Sequence, residues 1–76
     1  MSPKLPVVTS KELIRALKRA GFILDRQEGS HLSLVHPDHP QLTVTVPIHN
    51  KDLKKGTLKR ILKQARLTVE EFIDYL

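Results

Sequence analysis

The chain has 76 residues and no cysteine, so disulfides, thiolate metal sites and a cysteine nucleophile are excluded. At this length one aliphatic core is the ceiling, because such a domain buries only roughly 60% of the surface its unfolded chain exposes. Lys plus Arg number 13 against 8 Asp plus Glu, and the resulting +5 is the balance of a protein that meets a polyanion.

Phe22, Phe72 and Tyr75 are the only aromatic residues apart from histidine, too few for the row of stacking rings on which single-stranded nucleic acid is usually held. No apolar run approaches the roughly 20 residues that cross a bilayer. The start Met-Ser-Pro-Lys lacks a signal peptide's apolar stretch, so a cytoplasmic protein is expected.

In chain order, residues 1–8 carry two prolines and no periodic pattern, and read as a flexible arm on a single domain spanning 1–76. Thr9 and Glu12 fit a capping box, with Val8 and Leu13 as its hydrophobic staple, so a helix is predicted from Thr9 to Gly21. Leu13, Ile14, Leu17 and Ala20 form its apolar stripe. Lys11, Arg15, Lys18 and Arg19 fall on the other side.

The period then changes from helical to alternating. Phe22, Leu24 and Arg26 alternate with Ile23, Asp25 and Gln27, as in a strand, and Glu28-Gly29-Ser30 turns the chain. In the next strand Leu32 and Leu34 share the core face, leaving His31, Ser33 and Val35 on the other. His36 to Pro40 reads as a second turn, and a third strand follows with Leu42, Val44 and Val46 inward. After Pro47, the segment Ile48 to Asp52 leads to a second helix with Leu58, Ile61, Leu62 and Ala65 on its apolar side. Lys55, Lys59 and Lys63 lie on its polar side. Leu67, Thr68, Glu71 and Phe72 repeat the staple and capping box, predicting a short helix to about Tyr75. Sequential strands joined by short turns favour an antiparallel meander, in an α+β fold whose helices cover one apolar face.

Gly29-Ser30-His31, opening the second strand, resembles the central motif of the HicA toxin family. Thr43-Val44-Thr45-Val46-Pro47-Ile48-His49 resembles that family's third strand and its Val-Pro-x-His sequel. Lys54-Lys55-Gly56-Thr57-Leu58, continuing through Ile61-Leu62-Lys63-Gln64-Ala65, is similar to its second helix. The ordered combination runs from about Ser10 to Leu67. It implies a fold like that of double-stranded-RNA-binding domains, an activity that cuts messenger RNA, and His31 as the catalytic group. It also implies a HicB-type antitoxin as partner. Two positions depart from the pattern: Leu32 stands where many members have a second histidine, and Arg66 where many have glycine.

RNA can be cut without a metal if a base removes the ribose 2′-hydroxyl proton while the adjacent phosphate is attacked, and imidazole suits that task. His31 could be this base, or the acid that protonates the leaving oxygen. Charge on the transition state needs cationic donors. Arg26 lies across the turn from His31, and Lys51, Lys54, Lys55 and Lys59 cluster at a helix start whose free N–H groups also favour anions. Gly29 and Ser30 complete the expected RNA-binding set.

His36, Asp38, His39 and His49 invite a metal reading, but no three-ligand set emerges, so neither a metal nor another cofactor is expected. Two other readings fit the same cations: a non-catalytic RNA-binding module, and an interaction domain for an acidic protein.

Overall fold

The structure, a computed structural model, describes residues 4–76. Helix α1 (Ser10–Arg19) is followed by strands β1 (Ile23–Glu28), β2 (His31–His36) and β3 (His39–Pro47), then by helices α2 (Lys55–Ala65) and α3 (Val69–Tyr75). The strands form one antiparallel sheet in the order β1-β2-β3. This is the α+β arrangement of double-stranded-RNA-binding domains, extended by a C-terminal helix.

Both predicted capping boxes form. Thr9 Oγ1 accepts from the Glu12 N–H at 3.2 Å while the Glu12 carboxylate accepts from the Thr9 N–H at 2.9 Å, and Thr68 and Glu71 do the same at the start of α3. The hydrogen bonds from Thr9 hold the Glu12 carboxyl below its ordinary value of 4.5. Helix α2 instead begins at Lys54 with no side-chain cap, and ends on Arg66 in the left-handed conformation, φ 57° and ψ 39°. That is the position where glycine is favoured, and Arg66 holds it while its N–H donates to the Lys63 carbonyl and the Leu67 N–H to the Leu62 carbonyl.

The core lies between the helices and the inner face of β2 and β3. Leu13, Ala16 and Leu17 of α1, Leu34, Val44 and Val46 of the sheet, Leu58 and Ile61 of α2 and Phe72 of α3 are almost wholly buried. Helices α1 and α2 both pack against β3, and α3 packs against α1. The arm expected over residues 1–8 falls partly on residues 1–3, which lie outside the described residues. Leu5 lies against the core, Val8 is buried, and the Leu53 N–H donates to the Val8 carbonyl at 2.8 Å.

Three sequence expectations change. The alternation read through β1 is interrupted by a bulge between Leu24 and Arg26: Leu24 pairs with Leu34, but Arg26 pairs with Ser33. The extra residue reverses the parity, so Arg26 leaves the face of Leu24 and joins the outer face of the sheet.

Nor do the helices cover the whole apolar face. They sit over β2 and β3, and leave β1 as an exposed edge on which Leu24, on the same face as the buried Leu34, is about half accessible. Finally, the second turn is tighter than read. Only Pro37 and Asp38 turn, His36 pairs with His39, and Pro40 lies within β3, an edge strand that tolerates the missing donor.

Candidate active site

Gly29 and Ser30 make the two-residue turn between β1 and β2, with Glu28 and His31 paired across it. Gly29 has φ +56°, and a Cβ there would meet nothing within 4 Å, so glycine is required for backbone conformation and not for space. The far side of the turn is fastened to the segment after β3, because the Ile48 N–H donates to the Ser30 carbonyl at 2.6 Å. His31 pairs with Pro47, whose carbonyl accepts from the buried Ser10 hydroxyl at 2.6 Å. The start of α1 thereby anchors the strand beside His31, an anchor the sequence does not announce.

Alternation along β2 exposes His31 and buries Leu32. A histidine at position 32 would therefore enter the core face, and Leu32 removes no group from the side that His31 occupies. His31 lines an open cleft of about 260 Å³ together with Thr45 and Pro47 of β3 and Thr57, Arg60 and Gln64 of α2. This is smaller than the roughly 300–1,000 Å³ of a small-molecule pocket. Among the described residues the His31 ring makes no hydrogen bond to protein. It is free to take a partner from a ligand.

The expected RNA-binding residues are distributed unevenly about this cleft. Gly29 and Ser30 adjoin it through the turn. The bulge puts Arg26 on the same face of the sheet, where its Nε lies 3.1 Å from the Glu28 carboxylate in an exposed ion pair. Lys51, Lys54, Lys55 and Lys59 are exposed but are not among the lining residues, and Lys55 borders a separate groove with Leu5, Leu53 and Leu58.

Nothing in the sequence singles out Arg60, and Thr57 and Gln64 enter the family resemblance only as part of its second helix. The i, i+3, i+7 spacing of the three marks one stripe of a helix, but only the packing of α2 against β3 shows that this stripe faces His31.

The histidines that invited a metal reading have other contacts. The His36 ring packs edge-on against Phe22, with centroids 5.3 Å apart and planes at 86°, and its Nδ1 accepts from the Asp38 N–H at 3.2 Å. His39 stacks obliquely on His36. Among the described residues no three His, Asp or Glu side chains are grouped so that they could hold a metal ion, and no helix is long and apolar enough to cross a membrane.

The family model described as HicA toxin of bacterial toxin-antitoxin matches residues 10–67, from the first residue of α1 to the residue after the α2 cap. No curated protein matches the chain. The match takes in the sheet, both helices that pack on it and every residue lining the His31 cleft, and on that span the chain belongs to the HicA toxin family of bacterial toxin–antitoxin pairs.

Proposed function

We propose that this chain is an endoribonuclease that cuts messenger RNA with its own side chains and no metal ion, His31 moving the proton, and that a HicB-type antitoxin holds it inactive by covering the cleft. The observation that carries the reading is the position of His31. It is an exposed imidazole on the uncovered face of the sheet, in a cleft with a guanidinium and neutral hydrogen-bonding groups and without a carboxylate among its lining.

In the proposed step the ribose 2′-oxygen loses its proton and attacks the adjacent phosphorus, the bond from phosphorus to the 5′-oxygen breaks, and that oxygen takes up a proton. The products are a 2′,3′-cyclic phosphate and a 5′-hydroxyl. His31 is the one imidazole in the cleft, and imidazole is the side chain suited to taking or giving a proton in such a step, so on this reading it serves one of the two proton transfers and water serves the other. Arg26, Lys51, Lys54, Lys55 and Lys59 lie outside the cleft lining and, on this reading, hold phosphates flanking the cut.

Purified protein incubated with single-stranded RNA and a chelator should cut it, leaving cyclic or 3′-phosphate ends, and His31→Ala should abolish cutting while binding and fold persist. Cleavage by His31→Ala, or 3′-hydroxyl ends, would overturn the mechanism. Salt-sensitive binding without scission by the wild type would replace it with a non-catalytic RNA-binding module.

A further inference from the structure

We infer that Arg60, flanked by Thr57 and Gln64, forms the phosphate-binding wall of the His31 cleft, and that its guanidinium carries the charge developing on the attacked phosphate. The catalytic half of this inference rests on the ribonuclease reading above; the phosphate-binding half does not.

Charge within the cleft points to Arg60. Of the six lining residues it is the one permanent cation, and none is a carboxylate. The sole ion pair among the described residues joins Arg26 to Glu28, so Arg26 is partly neutralised by its neighbour and Arg60 has no such partner. An unneutralised guanidinium opposite an imidazole makes the cleft an anion site. Thr57 and Gln64 add a hydroxyl and an amide, neutral donors one turn to either side along the same stripe. The planar fork of Arg matches two phosphate oxygens, which a lysine ammonium cannot do.

Helix geometry excludes the neighbouring lysines from this role. Lys55, Lys59 and Lys63 follow a stripe roughly 130° around α2 from Thr57, Arg60 and Gln64, at 100° per residue. Leu58, Ile61, Leu62 and Ala65 are buried against the core, so the two stripes flank the apolar face on opposite sides. The basic cluster that dominates the sequence is thus directed away from His31.

Two measurements on Arg60→Ala, Arg60→Lys and Lys63→Ala test this, the last removing one charge from the same helix outside the cleft. The first is binding of a 2′-O-methyl RNA oligonucleotide, which lacks the attacking hydroxyl. Arg60→Ala should flatten the plot of log affinity against log salt by about 0.7, one phosphate contact to a single strand, and Arg60→Lys should not. The second is cleavage. Arg60→Ala should lower kcat by about 100-fold or more, Arg60→Lys should recover only part of that, and Lys63→Ala should stay within about threefold of wild type.

Equal effects of Arg60→Ala and Lys63→Ala in both measurements would overturn the inference, since only general charge would then matter. An unchanged salt slope with Arg60→Ala would overturn it as well. If the wild type binds but does not cut, a slope that falls only with Arg60→Ala upholds the phosphate wall and removes the ribonuclease reading instead.

Discussion

The two ends of β2 each carry a histidine, and the structure uses them in opposite ways. His36 is half-buried, with its ring against Phe22, its Nδ1 accepting from the Asp38 N–H, and its Nε2 so close to Gly21 that a Cβ there would lie 2.7 Å away. His31 is exposed, with no protein partner on either nitrogen among the described residues, in a cleft shared with Arg60. An imidazole already committed to packing and to a backbone donor is part of the fold. One with both nitrogens open can exchange protons with a ligand.

The sharpest test of that contrast exchanges the two losses. His31→Ala should abolish detectable RNA cleavage, a general acid or base usually contributing roughly 10²- to 10⁴-fold, while thermal stability hardly moves. His36→Ala should do the reverse, lowering the melting temperature and leaving cleavage close to wild type. Equal loss of cleavage in both, in assays at a temperature where each is folded, would break the comparison.

The glycines near each histidine sharpen it further. Gly21 has φ +104° and abuts His36, whereas Gly29 has φ +56° and open space around it. Gly21→Ala should therefore cost about 2–3 kcal/mol by denaturant unfolding, combining backbone strain with displacement of the His36 ring. Adding His36→Ala should recover the steric part alone, a coupling that a double-mutant cycle would read. Gly29→Ala meets no neighbour, and should cost only about 1 kcal/mol of left-handed strain.

Away from both ends the expected effects are smaller and leave the contrast untouched. Arg66→Gly relieves an arginine of a left-handed conformation, and should stabilise the fold by about 1 kcal/mol without altering cleavage. An unchanged or lower midpoint in urea would show that the arginine side chain compensates for its own backbone.

The Glu12 carboxyl is held below 4.5 by hydrogen bonds from Thr9. The stability it contributes is full above the unfolded value, and is lost as pH falls through the lowered folded value. Glu12→Gln should flatten that acid limb of the stability curve, lowering stability modestly near neutral pH and converging with the wild type in acid, where the carboxyl is itself neutral.

Elements whose signal is local were legible in the sequence. The capping boxes at Thr9 and Thr68 formed as read, because a hydroxyl and a carboxylate three residues apart satisfy orphan N–H groups whatever the rest of the chain does. The face of His31 followed from the two-residue period of β2. The bulge at Asp25 did not show, since no glycine or proline marks it and it arises from fitting β1 to β2. The exposure of Leu24, which pairs with the buried Leu34, did not show either, because alternation says which residues share a face, not whether a helix reaches that face.

The candidate site divides along the same line. His31 and the turn that presents it belong to one short segment, and sequence suffices for such a segment because its hydrogen bonds and φ values are set by near neighbours. Arg60 lies 29 positions later, on a helix whose lysines are the more conspicuous feature of the sequence. Which side of that helix meets His31 depends on the rotation at which Leu58, Ile61, Leu62 and Ala65 settle into the core against β3. By itself the sequence determined the order of the elements, the caps and the exposure of His31. Tertiary packing alone decided which cation stands across from it, because burial of one helix face orients every other face.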